Sequence, residues 1–429
     1  MTFILRNDYN MVMLETRNDI SPVVFDPDQI SMAFAHIEEQ WPRLTKNQPI
    51  DDGTLIGLPY PYVVPSVESE DGFSFQEMYY WDNYFVAQGL FRTGKNELAE
   101  GMLENIIYLA KRFHIVPNGS RFYHASRSQP PFLTSLIFDV YDISEKNIPW
   151  LKERVAVAEK EYHTVWMGTE QPNIRQVYRG LSRYYDINVL HDLAEAESGW
   201  DMTTRYGGRC LSYIPICLNS LLYKYELDFE RAYRLFDDED TADIWKEKAA
   251  NRANVMNQEL WNEDRGFYFD LDYQEGKHST VWSLAAFYPM WAGISTTQQA
   301  ASIVSKLHLF LYEGGLATTA SPHDTFDNRR LPKQWAYPNG WAPLHWLAVQ
   351  GLVKYGYHDE ADLIARKWLK TNLDYFLNFN LFREAYNVVS PLDKPEEGVY
   401  PPQTGFGWTN AVFVDLCRQF LTPEELKKV

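Results

Sequence analysis

The most chemically suggestive stretch of this 429-residue chain is Glu197-Ser198-Gly199-Trp200-Asp201. Gly199 permits a positive φ or a close backbone approach, and Trp200 sets an apolar wall beside Asp201. A carboxyl against such a wall has its charged form desolvated and its pKa raised, as a general acid needs. Taken alone, an aspartate at a loop–helix junction is more often an N-cap than a catalyst. A second carboxylate, Glu384, follows an apolar helix in Arg383-Glu384-Ala385-Tyr386-Asn387. Two carboxylates with separated pKa values are the minimal machine for hydrolysing a glycosidic bond. The chain holds 58 acidic residues, so composition cannot select this pair. Loops so far apart in sequence can cooperate only if they share one mouth.

Other blocks supply rings and hydrogen-bonding groups. Gln76–Phe85 interleaves five aromatics with Glu77, Asp82 and Asn83. Read structurally, this is a helix start with Asp82 as N-cap and the rings as core. Read chemically, it suits a hydroxyl-rich ligand held by stacking and charged acceptors. Asn118, followed by Ser126-Arg127-Ser128-Gln129-Pro130-Pro131, offers forked donors and acceptors, unless Arg127 and Gln129 only satisfy loop carbonyls. Gln334-Trp335 and Pro338–Leu344 lead into an apolar helix, and Gly405-Phe406-Gly407-Trp408-Thr409-Asn410 opens the last one.

Composition fits that chemistry. With 40 basic and 58 acidic residues the net charge is −18, without the electrostatic footprint of a nucleic-acid binder and repelled by anionic membranes. The 14 Trp, 28 Tyr and 24 Phe make 15% of the chain, a supply of rings suited to the flat C–H faces of sugars or to a large Tyr-rich core. A hydrophobic fraction of 45% buries a substantial core without disulfides or metals. Cys210, Cys217 and Cys417 lack metal or redox spacing and read as reduced, buried thiols. Neither a signal peptide nor an apolar run of about 18 residues is visible. The expected location is therefore cytoplasmic.

The elements that must position these groups are helices. Ile30, Phe34, Ile37 and Trp41 share one face of a helix expected to end before Pro42, and Leu98, Met102, Ile106, Leu109 and Phe113 repeat the spacing. Further helical stretches fall near 131–143, 149–166, 210–226, 241–261, 281–291, 297–309, 341–355, 358–375 and 408–420. Strand patterns are few, Arg265–Asp270 and Arg121–Tyr123 being the best. Decorated loops at 72–83, 117–131, 195–205, 313–341 and 384–408 alternate with the helices. Such alternation suggests helix pairs closed into a ring with loops gathered at one mouth, against an ordinary multi-domain helical protein. The expected division is a lead-in over 1–28 and one catalytic domain over 29–429.

Together the blocks resemble the trehalase family of inverting α-glucosidases. Its tyrosine–tryptophan–aspartate block is similar to Glu77–Tyr84, and its serine–arginine–serine–glutamine–proline–proline block matches 126–131 at every position. Its serine–glycine–tryptophan–aspartate block resembles Glu197–Asp201 with Thr203, Thr204 and Arg205. Gly314–Thr319, Pro338–Leu344 and Gly405–Asn410 follow in family order across 72–413. The resemblance implies an all-α (α/α)6 toroid with short β pieces in loops, no cofactor and no metal. It places the general acid at Asp201 and the general base at Glu384. Substrate contacts fall on Phe75, Tyr79, Trp81, Asp82, Asn118, Arg127, Gly199 and Trp335, to which the blocks add Gln129, Trp200 and Trp408.

The departures concern polar clamps. Ser74 stands where the family places an arginine, Ala336 where it places an aspartate after the tryptophan, and Val399 and Thr404 where it places acids. Between Tyr184 and Glu195 the chain is short, and a loop bearing an arginine and a glutamate is missing. The resemblance therefore implies the reaction more firmly than the substrate. Trehalose is the leading candidate among small carbohydrates. Another α-glucoside or α-mannoside with a small or acidic aglycone is the alternative, and a catalytically silent sugar-binding protein is the reading from another class. Oligomeric state is not legible.

Overall fold

The computed structural model describes residues 23–66, 68–69, 74–322, 333–396, 398 and 403–429. Most of the 1–28 lead-in, and Val399, lie outside the described residues. Thirteen α-helices are present among those described: α1 (Pro27–Leu44), α2 (Tyr80–Arg92), α3 (Asn96–Phe113), α4 (Leu133–Ile143), α5 (Ile148–Glu161), α6 (His191–Glu197), α7 (Ile216–Leu235), α8 (Glu239–Glu259), α9 (Tyr288–Ala292), α10 (Thr297–Ser305), α11 (Ala342–Lys354), α12 (His358–Phe379) and α13 (Gly407–Phe420).

Six of them close a ring. α2 packs on α4, α4 on α7, α7 on α9, α9 on α11, α11 on α13, and α13 returns to α2. The intervening helices flank this ring: α3 lies against α2 and α4, α5 against α4 and α7, α8 against α7, and α12 against α11 and α13. α1 packs on α12 and α13, and α10 rests on the strand Phe267–Tyr268. The architecture is the (α/α)6 toroid. Inner helices are buried nearly all round, as Tyr80–Ala87 and Gly407–Cys417 illustrate. A helix surrounded by protein has no polar face to keep. α2 packs closely on α13. A Cβ on Gly89 would lie 2.4 Å from Ala411 Cα, so only glycine fits there.

Several elements differ from the sequence expectations. Residues 80–83 start α2 rather than ending a loop, and Asp82 sits in its first turn instead of capping it. α1 runs through Pro42 to Leu44, where Thr45 caps it by donating from its backbone N–H and its hydroxyl to the Trp41 carbonyl. Arg121–Tyr123 is not a strand. Arg121 makes an isolated bridge to Leu55 and the chain then turns as a short 3-10 helix. The stretch near 210–226 is displaced, since α7 begins at Ile216 and extends to Leu235. The strands present are two or three residues long and join loops, as in the pairing of Trp261–Asn262 with Phe267–Tyr268. All three cysteines are buried and free.

Candidate active site

Four loop systems converge on one face of the ring, tied by backbone hydrogen bonds. Met78–Tyr80 runs alongside Asn118–Ser120: Ser120 N donates to Met78 O at 2.8 Å and Tyr80 N to Asn118 O at 3.2 Å. This sets Trp81 and Asp82, in the first turn of α2, beside Asn118. The Asn118 side chain donates to Ser128 O (2.9 Å) and Ala196 O (3.2 Å), joining that pair to the 126–131 and 195–205 loops. Buried Glu197 locks the junction by accepting from Ser128 N and Tyr185 N, both at 2.6 Å, and from Arg175. Gln129 accepts from Trp81 N at 3.1 Å.

The opposite side comes from the second half of the chain. The strand Asn339–Trp341 pairs with Ala385–Asn387, which brings the Trp335 loop to Glu384. Trp335 N donates to Met202 O at 3.0 Å, and the Gln334 side chain donates to the Asp201 carbonyl. Thus the loop that carries Trp335 also clamps the backbone of Asp201. The Glu384 carbonyl accepts from Trp408 Nε1 at 3.3 Å, fixing the start of α13 to the same point.

These contacts surround a pocket, open to solvent at its mouth, with about 460 Å³ of empty space. Its lining includes Asp201 and Glu384 together with Phe75, Tyr79, Trp81, Asp82, Asn118, Gln129, Gly199, Trp335 and Trp408. Two residues named from sequence are not in the lining. Trp200 is fully buried, stacked on Trp335 at 5.8 Å and under the Arg205 guanidinium. Arg127 lies just behind Asn118, whose backbone N–H donates to its carbonyl, and pairs with Asp186. Pro65 and Phe406 line the cavity as well. Phe406 was visible within the Gly405–Asn410 block, whereas nothing in the local sequence marks Pro65.

Aromatic packing makes the walls rigid. Trp335 stacks on Trp341 at 3.8 Å and meets Trp81 at 5.6 Å, while Trp408 stands edge-on to Trp81 at 5.6 Å. Gly199 has a φ of +72°, and a Cβ there would lie 2.8 Å from the Trp81 ring. Both reasons for glycine, positive φ and close approach, therefore hold at this position.

The cavity is acidic, with Asp82, Asp201 and Glu384 and, among the described residues, no cationic side chain in its lining. Asp201 keeps part of its surface open to the cavity and is otherwise enclosed by protein. Burial pushes its carboxyl up to about 7, against the opposing pull of Arg127. Asp82 is pushed up to about 8, first by burial and further by the charge of Asp201. Glu195 sits behind the Asp201 loop, accepting from Thr203 N at 2.6 Å, and burial raises it to about 7. Neither Asp82 nor Asp201 caps a helix, so the capping readings fall away, whereas Tyr80, Trp81, Tyr84 and Phe85 do belong to the core. Among the described residues no group of three His, Cys, Asp or Glu side chains is placed to hold a metal ion. No helix there is long and apolar enough to cross a membrane.

Comparison with known proteins converges on one family. A family model described as Trehalase matches residues 16–193 and 186–420. The chain is 32% identical to the cytosolic neutral trehalase of Beauveria bassiana (strain ARSEF 2860) over 470 residues, covering 90% of this chain. It spans 61% of the length of that curated relative. Among solved structures, neutral trehalase Nth1 from Saccharomyces cerevisiae superposes with a TM-score of 0.74 at 29% identity, covering 86% of this chain and 75% of that one. The mannosylglycerate hydrolase of Thermus thermophilus, in complex with Tris and D-glycerate, shares the fold with a TM-score of 0.65 at 17% identity, over 89% of this chain and 99% of that one.

Proposed function

The chain belongs to the trehalase family, and from that premise we propose that it is an inverting α-glycoside hydrolase that splits trehalose into two glucose molecules. One observation carries the reading: Asp201, its carboxyl raised to about 7, and Glu384 line the same ring-walled cavity although they come from opposite halves of the chain. Asp201, about half protonated at neutral pH, donates its proton to the glycosidic oxygen. Glu384 takes a proton from a water on the opposite face of the sugar, which attacks C1 through an oxocarbenium-like transition state. Trp81, Trp335, Trp408, Phe75 and Tyr79 provide apolar walls, Asp82, Asn118 and Gln129 hold hydroxyls, Arg127 supports Asn118 from behind, and Gly199 allows the sugar to approach the backbone. Trp200 acts from behind, by supporting Trp335.

Among the described residues the lining holds no cationic side chain to pair with an anionic aglycone, which favours a neutral leaving group over an acidic one. The likeness to a cytosolic neutral trehalase and the three buried free thiols support a cytosolic setting. We read 29–429 as one catalytic domain.

The test is hydrolysis of trehalose, kojibiose, maltose, an aryl α-glucoside and α-glycosyl-glycerates, with the first-formed anomers read by NMR. Inversion of trehalose releases one β-glucose, from the attacked sugar, and one α-glucose, from the leaving group. Two α-glucose molecules would establish retention instead. Exclusive turnover of a glycosyl-glycerate would overturn the substrate assignment, and binding without turnover would overturn the enzyme assignment.

A further inference from the structure

The short segment between Tyr184 and Glu195 folds into a turn with one carboxylate at its centre. Asp186 is buried. Its Oδ1 accepts from Asn188 N and Asn188 Nδ2, both at 2.8 Å, and its Oδ2 accepts from Ser126 Oγ at 2.7 Å and Arg127 Nη1 at 3.3 Å. Ile187 N donates to Ser126 O at 3.1 Å, so the turn is fastened to the 126–131 loop by backbone as well. Burial alone would push this carboxyl up, yet the Asn188, Ser126 and Arg127 hydrogen bonds hold it below the usual carboxylate range. It is therefore an anion at neutral pH, matched to the Arg127 guanidinium.

Arg127 has one nitrogen committed to this pair, and its Nε–H is buried with no hydrogen-bond partner among the described residues. Its carbonyl accepts from Asn118 N, a residue of the cavity lining, and its charge reaches Asp201. A buried N–H without a partner is costly, and this one is enclosed by protein behind the cavity lining. A guanidinium is useful in recognition only when its planar fork is held in one orientation.

We infer that Asp186 is a positioning residue for Arg127: its turn, which stands where a longer loop is missing, anchors one edge of the guanidinium behind Asn118, so that the Arg127 carbonyl is held against the backbone N–H of that lining residue. The inference rests on the hydrolase reading above. It also explains how a cavity with no cationic side chain in its described lining keeps one cation fixed just behind it.

The experiment is a double-mutant cycle on the full chain, with Asp186→Asn, Arg127→Ala and the combination assayed on trehalose and followed by thermal melting. If Asp186 acts through Arg127, Asp186→Asn lowers kcat/KM about tenfold to hundredfold, the scale of a misplaced substrate-positioning group. In the Arg127→Ala background the same change should then matter by less than about twofold. Ser126→Ala, which leaves the Asn188 bonds of the turn in place, should reproduce part of the loss, and it keeps the test open if Asp186→Asn folds poorly. Additive losses in the cycle, or unchanged kinetics in Asp186→Asn alongside a damaged Arg127→Ala, would overturn the inference alone. A wild-type protein inactive on every α-glucoside would instead remove the functional reading on which it stands.

Discussion

Replacing Asp201 by asparagine should cut turnover sharply and yet stabilise the protein, in a way that depends on pH. The carboxyl is displaced from 3.8 to about 7 because the folded cavity disfavours its charged form. At about 1.4 kcal/mol per pH unit, that displacement is worth about 4 kcal/mol. This is a ceiling, since the group keeps part of its surface open to water. The direction follows from proton counting. Below pH 4 the residue is protonated in both the folded and the unfolded chain, and asparagine gains nothing. Between about pH 4 and 7 the unfolded chain releases the proton while the folded one retains it, so wild-type stability declines as pH rises. Above pH 7 the whole penalty is present, and Asp201→Asn escapes it. With an unfolding entropy of about 2.1 cal/mol/K per residue over 429 residues, 4 kcal/mol corresponds to about 4–5 °C in Tm. Calorimetry at pH 4.5, 6 and 8 should therefore show a gap between variant and wild type that opens with pH, while kcat falls by about 10²–10⁴. A gap that stays constant from pH 4.5 to 8, or a variant less stable at pH 8, would refute the claim that the cavity holds this proton.

Four other outcomes follow from the geometry. In the wild type, kcat/KM should fall about tenfold per pH unit above the Asp201 pKa near 7, because the acid must be protonated to act; a plateau extending to pH 9 would assign the proton to another group. Glu384→Gln should cut kcat by about 10²–10⁴ with an unchanged melting curve, and full activity would return Glu384 to a packing role. Gly199→Ala forces a side chain into positive φ and against the Trp81 ring, at a cost of about 2–5 kcal/mol with a fall in both Tm and trehalose turnover; a neutral result would mean that the loop moves aside freely. Asp270→Asn breaks the buried pair with Arg205, 2.8 Å apart, and should destabilise by about 3–5 kcal/mol, read as a lower urea midpoint.

The outer helices were legible from the chain because water enforces a period on them. α1 and α3 each bury one stripe and expose the other, and that stripe is written at i, i+4 and i+7. α2 escaped the same reading for the opposite reason. Enclosed by the ring, its residues from Tyr80 to Ala87 are all buried, so aromatic, acidic and amide side chains follow one another without a period. The residue types of the site were legible too: carboxylates beside tryptophans, a glycine before one of them, and a family order of blocks. What local sequence could not contain was the meeting of those blocks. Whether Asp201 is a cap or a buried acid depends on what surrounds its carboxyl, and the Gln334–Trp335 loop that encloses it comes from a different part of the ring. The same holds for Trp200, which became a support for Trp335 rather than a cavity wall, and for Arg127, drawn behind Asn118 by Asp186. Side-chain chemistry is local, but desolvation and pairing arise from neighbours that only closure of the ring brings together.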